Sequence, residues 1–116
     1  MNILSDNVIV LIVINLKTFM IIVHDIFVCK PGNASKLAKM FKETMKISPE
    51  MKHVMTDMTG QWHRVIMVSQ FESLSAFEEN WKRLENPTEE IKKDMERYKD
   101  MNDMYVSGSR EIYRVW

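Results

Sequence analysis

Scarcity narrows this sequence before any motif does. Its 116 residues hold a single cysteine, Cys29, so no intrachain disulfide can form. A small chain that folds without one suits a reducing compartment, with cytoplasm as the default. Neither sign of charge is in excess, since 16 basic residues stand against 16 acidic ones. A nucleic-acid binder carries a basic face that displaces phosphate counterions, and neither the balance nor the order of charges here supplies one. Long apolar runs are missing too. The run Val8 to Ile14 is far short of the roughly 20 residues a membrane span needs, and Asn15 and Lys17 interrupt it before Phe19. It also lacks the flanks of a signal peptide, because no Lys or Arg precedes it and no small-residue cleavage site follows.

Motifs that carry chemistry are equally sparse. There is no Gly-rich phosphate loop, nucleophile elbow or paired-carboxylate motif, and no Cys or His doublet at ligand spacing. The histidines are His24, His53 and His63. A hairpin centred on Gly60-Gln61 sets His63 opposite Met58 and leaves His53 about 17 Å away at ~3.3 Å per residue, too far to share a zinc ion. Neither a metal nor a cofactor is expected.

What is present describes one globular domain. With 46% hydrophobic and 28% charged residues the chain is neither disordered nor fibrous, and at this length it buries roughly two thirds of the surface its unfolded form exposes. Residues 18 to 29 are dense in β-branched and aromatic types and stop at Lys30-Pro31-Gly32, which predicts a first strand buried on both faces. Asn33 is a candidate N-cap for a helix carrying Leu37, Met40, Phe41 and Met45 and ending at Ser48-Pro49. Residues 51 to 59 and 62 to 71 read as strands of a hairpin about Gly60-Gln61. Ser75 with Glu78 has the form of a capping box for a second helix with the stripe Leu74, Phe77, Trp81 and Leu84. Asn86, Pro87 and Glu89 open a third helix with Ile91, Met95, Tyr98 and Met101 on one face. Gly108 closes that region, and residues 110 to 116 form the last strand. Residues 1 to 19 are either an added strand or a stretch upstream of a natural start at Met20, leaving 20 to 116 as the domain.

Strand, helix, strand, strand, helix with a helical extension, strand is an α+β order of the ferredoxin-like βαββαβ kind. Helices on one sheet face leave the other bare, and an apolar bare face calls for a partner, most simply a second copy. Three features, namely a strand ending in Lys30-Pro31-Gly32 before a Lys-rich helix, the Gly60 hairpin, and Phe71 to Phe77 entering a helix with Trp81, resemble the dimeric α/β-barrel superfamily. The likeness is nearest to NIPSNAP-type and antibiotic-biosynthesis-monooxygenase-type domains and covers residues 20 to 116. It implies a homodimer with a pocket between sheet and helices. Followed into the haem-degrading branch, it aligns Asp25 with a working Asn and Trp81 with a working Trp. No histidine between Glu89 and Tyr105 matches the axial ligand, so haem oxygenation is not implied.

Candidate site residues follow from both arguments. His24 and Asp25 are adjacent on the first strand, so they face opposite sides of the sheet and cannot form one dyad. A buried ionisable group in an apolar strand must be paired or functional, so each is weighed as a catalytic residue against a cross-sheet structural pair. Trp81, Phe77, Met67 and Phe41 are candidate ligand contacts, with core packing as the plainer role. Cys29 beside Lys30 could have a lowered pKa, though no base is placed next to it. Two functions stand open. One is a non-catalytic NIPSNAP-like dimer that binds a small hydrophobic ligand or a protein partner. The other is a cofactor-independent, monooxygenase-like enzyme for a small apolar or aromatic substrate.

Overall fold

The computed structural model describes residues 19–116. The expectation for the apolar stretch from residue 8 to 14 lies outside the described residues. Phe19, one residue before the expected boundary, packs with the cluster Ile21, Val23 and Phe71.

Strand β1 (Ile21–Cys29) is followed by helix α1 (Ala34–Thr44), the antiparallel pair β2 (Met51–Thr56) and β3 (Arg64–Phe71), helices α2 (Leu74–Glu85) and α3 (Glu89–Glu96), a short 3₁₀ turn, and β4 (Tyr105–Arg114). The sheet order is β2-β3-β1-β4, with every neighbouring pair antiparallel. This is the ferredoxin-like α+β arrangement. No described helix is long and apolar enough to cross a membrane.

Period-two alternation sorts the strands into two faces. On β1 the residues Ile21, Val23, Asp25, Phe27 and Cys29 point to the helices, opposite Phe71, Ser69, Met67 and Val65 of β3. Two apolar clusters form on this side. Cys29, Leu37, Phe41, Met51 and Val65 pack beneath α1, and Ile21, Val23 and Phe71 meet Phe77 of α2. Leu37 and Val65 are fully enclosed, each worth about 1.5–3 kcal/mol of burial. The other sheet face, with Ile22, His24, Ile26 and Ile66, is half-buried, and of the β3 residues on it only Val68 is buried. The expectation that β1 is buried on both faces is therefore corrected: no element among the described residues covers its outer side.

Several boundaries also move, each for a local reason. The hairpin keeps its predicted centre, since His53 pairs Val68 and Thr56 pairs Val65, but the strands stop short of a two-residue turn. Asp57 accepts hydrogen bonds at 2.7 Å from both the backbone N–H and the Nε of Arg64, and His63 adopts a positive φ of 64°, so the loop closes seven residues wide. Helix α1 begins after Asn33, whose side chain makes no capping bond, and ends at Thr44 rather than Ser48. Ser73, not Ser75, caps α2 by accepting from the Ala76 N–H at 3.0 Å. Thr88, not Asn86, caps α3 by accepting from Ile91. Helix α3 is correspondingly shorter than the stripe from Ile91 to Met101 predicts. Gly108 lies inside β4 instead of before it. It sits opposite Phe27, and the Phe27 ring lies 3.6 Å from where a Cβ would be. A Cβ there would be in ordinary contact, so Gly108 neither ends the strand nor is required by its neighbour.

Candidate functional site

A cleft of about 420 Å³ opens between the sheet and helices α2 and α3, within the size range of small-molecule sites. Its position follows from β1. Ile21 and Val23 belong to one apolar cluster, Cys29 and the Phe27 packed on it to the other, and the inward position between the two is Asp25, flanked across the sheet by Met67 and Arg110. A carboxylate cannot fill an apolar seam, so the two clusters do not merge and the cleft lies over it. Phe41, Met67, Phe77 and Trp81 line it together with Asp25.

Asp25 is 9% exposed, and burial at that depth demands a partner. Arg110, directly opposite on β4, donates from Nε to the Asp25 Oδ1 at 2.6 Å. The Arg110 guanidinium lies 4.7 Å from the Trp81 ring centre and 5.5 Å from that of Phe77. Stacking over aromatic faces suits a weakly hydrated planar cation and fixes the guanidinium plane. Phe77 and Trp81 themselves meet edge to face at 6.4 Å. Trp81 remains 43% exposed, so the stripe of α2 walls the cleft instead of vanishing into a core.

A second polar group stands at the α1–α3 side. Thr44 Oγ1 donates to Asp94 Oδ2 at 2.7 Å. The Tyr98 hydroxyl donates to the Met40 carbonyl oxygen at 3.1 Å and is also hydrogen-bonded to Thr44 Oγ1. Arg97 completes the set with an ion pair to Asp94 at 3.2 Å. Burial pushes the Tyr98 phenol up; the hydrogen bond to Thr44 works against that, and the Asp94 charge reinforces it. Among the described residues, no buried side-chain polar atom lacks a partner.

The structure brings five of the sequence-derived site residues to one cleft, namely Asp25, Phe41, Met67, Phe77 and Trp81. His24 is not among them. It points to the opposite sheet face, with its ring 5.1 Å from that of Tyr113 and Glu111 as cross-strand neighbour. Cys29 is 3% exposed, and burial raises its thiol pKa, the reverse of the lowering that Lys30 suggested. Arg110, Thr44, Asp94 and Tyr98 were missed as site residues. Asp94 had a legible signal: three residues after Ile91 and four before Tyr98, it falls on the apolar stripe of α3, where a carboxylate requires a partner. Among the described residues, no group of three His, Cys, Asp or Glu side chains could hold a metal ion.

Comparison with known proteins places the fold. No protein-family model matches the chain, and no curated protein matches it. Solved structures do. A NIPSNAP family protein from Agrobacterium tumefaciens strain C58 superposes with a TM-score of 0.69 at 16% identity, covering 84% of this chain and 87% of that one. A second NIPSNAP family protein from the same organism, of unknown function, gives 0.69 at 14% identity over 84% and 89%. A candidate antibiotic biosynthesis monooxygenase from Caulobacter crescentus CB15 gives 0.58 at 17% identity over 88% and 95%. The chain thus has the ferredoxin-like fold shared by NIPSNAP-like and antibiotic-biosynthesis-monooxygenase-like proteins.

Proposed function

We propose that this protein is a homodimeric binding module that takes a small hydrophobic ligand in the cleft between its sheet and helices α2 and α3. The observation that carries the reading is the cleft itself, a mostly apolar space walled by Phe41, Met67, Phe77 and Trp81 with one oriented charge pair at its sheet side. Sites of this type bind by apolar burial and use a few placed polar groups for orientation. The dimer rests on the uncovered sheet face. Ile22, Ile26 and Ile66 lie there beside Met55, which is 41% exposed, and closing two such faces together would form a dimeric α/β barrel. The lone, buried Cys29 fits a reducing compartment, the cytoplasm.

A second reading is a cofactor-independent, monooxygenase-like enzyme in which Asp25 handles a proton and Trp81 packs on the substrate. The placement of Asp25 inside the cleft favours it, and the fold shared with candidate monooxygenases agrees. Among the described residues no histidine or cysteine lines the cleft with Asp25, so the binding reading comes first. Native mass spectrometry of the protein as purified tests both parts. A species at twice 13.8 kDa carrying small-molecule mass supports dimer and ligand together. A bare monomer that takes up no apolar probe refutes them. Oxygen consumption with an aromatic probe that Trp81→Ala and Asp25→Ala both abolish, with folding intact, would move the weight to the enzyme.

A further inference from the structure

The cleft holds one charge pair whose geometry restricts what it can bind. Asp25 is buried at the sheet side. Arg110 spends its Nε–H on Asp25 at 2.6 Å and the face of its guanidinium on Trp81 and Phe77. Among the described residues its two Nη groups have no hydrogen-bond partner, so they are the donors an incoming molecule meets. The pair as a unit carries no net charge. An anion reaching those Nη donors must share the guanidinium with the Asp25 carboxylate and sit close to that like charge in a space partly shielded from water, where repulsion is strong. A carbonyl or hydroxyl oxygen accepts the same N–H bonds without that repulsion. No excess of cations relieves it, because the lining holds three carboxylates, Asp25, Glu50 and Asp94, against two guanidiniums, Arg83 and Arg110.

We infer that Asp25 is a specificity-determining residue. By neutralising Arg110 it makes the cleft a site for an uncharged, ring-bearing molecule with an acceptor oxygen and sets it against the corresponding carboxylate. The ring requirement follows from the aromatic walls, and the oxygen requirement from the Nη donors. This inference rests on the ligand-binding reading above, and the test separates the two.

The test is calorimetric titration of the intact protein with naphthalene, naphthyl methyl ketone and naphthoate, three probes of nearly the same ring size. The wild type is expected to bind the ketone at least tenfold more tightly than naphthoate. Asp25→Asn keeps an oxygen for the Arg110 Nε–H but removes the charge, and it is expected to raise naphthoate affinity at least tenfold with the ketone little changed. Arg110→Met is expected to bring the ketone down to the affinity that naphthalene has in the same variant, a ratio read within one protein that a general loosening of the aromatic walls does not move and that does not need Asp25→Asn. Naphthoate binding as well as the ketone in the wild type, or a probe ratio unchanged in both variants, overturns the charge selection and leaves the ligand-binding reading standing. Failure of all three probes to bind the wild type overturns that reading, and this inference with it.

Discussion

Replacing Arg110 by methionine should destabilise the protein more than replacing Asp25 by alanine, although each breaks the same ion pair. The asymmetry comes from which charge is left behind. The Asp25 side chain is 12% exposed and that of Arg110 38%, so losing Arg110 strands a carboxylate that water barely reaches. One-sided loss of a buried pair costs about 3–5 kcal/mol. Here the guanidinium side is open to solvent and its contribution screened, which reduces the expectation to about 2–3 kcal/mol. Methionine keeps an apolar stem over Trp81, so packing loss adds little. Losing Asp25 leaves a guanidinium that retains hydration and its aromatic faces, at a cost of about 1 kcal/mol. At roughly 4 °C per kcal/mol for a domain of this size, the melting temperature should fall by about 8–12 °C for Arg110→Met and about 4 °C for Asp25→Ala. The double variant leaves no stranded charge, so it should cost no more than Arg110→Met alone. Thermal and urea unfolding followed by circular dichroism, all at one protein concentration because any self-association shifts the midpoint, gives the full cycle. Equal losses for the two single variants, or a double variant equal to their sum, would refute the claim that this pair supports the seam.

The remaining predictions concern groups outside that pair. Tyr98→Phe should keep the ring against Phe41, at 5.8 Å between centres, while removing a hydroxyl from the Thr44–Asp94 set, at about 1–2 kcal/mol in unfolding free energy. Because the folded phenol titrates above its ordinary value of 10.0, the stability it contributes is complete below that pH and is lost as the pH rises through the folded value; Tyr98→Phe should remove this alkaline loss from a stability-versus-pH curve. Burial opposes the charge of Asp57, but the hydrogen bonds from the Arg64 side chain and backbone outweigh it and hold the carboxyl below 3.8. Its stabilisation is therefore present above that pH and lost as the pH falls through the lower folded value, and Asp57→Asn should flatten that part of the curve and loosen amide protection in the hairpin. The Cys29 thiol, buried with a raised pKa, should resist Ellman's reagent at neutral pH until denaturant is added; rapid reaction of the native protein would contradict its burial.

Element order was legible in this sequence because patterns of period two and 3.6 survive averaging over a whole element. A boundary depends on one or two side chains. Ser73, Ser75, Asn86 and Thr88 all have the chemistry of an N-cap, and only the chain direction entering α2 and α3 decides that Ser73 and Thr88 serve. Gly108 reads locally as a breaker, yet it lies inside β4, paired with Phe27, which stands 81 positions earlier in the chain. The same locality explains the site. Phe77 and Trp81 were readable from spacing on one helix, and Asp25 from being the charged residue in an apolar strand. Arg110 was not, because nothing in Arg110 to Trp116 announces that its first residue lies opposite Asp25.

The charge that marks the site also explains why there is a space at all. Had position 25 carried an apolar side chain, the row Ile21, Val23, Phe27 and Cys29 would run unbroken beneath the helices, and the clusters under α1 and α2 could join into one core. With aspartate there, the row is split, Arg110 is drawn inward from β4, and its guanidinium props Trp81 and Phe77 above the sheet. Helix α2 consequently buries none of its residues fully, an unusual state for a helix packed on a sheet and a thermodynamic cost in a small domain. A fold gains nothing in stability from such an arrangement, since an apolar residue of similar volume would pack at least as well as a half-shielded ion pair. What the arrangement provides is a cleft with a fixed hydrogen-bond donor set among aromatic walls, and that exchange of core for cavity is why the functional reading centres on Asp25 and Arg110.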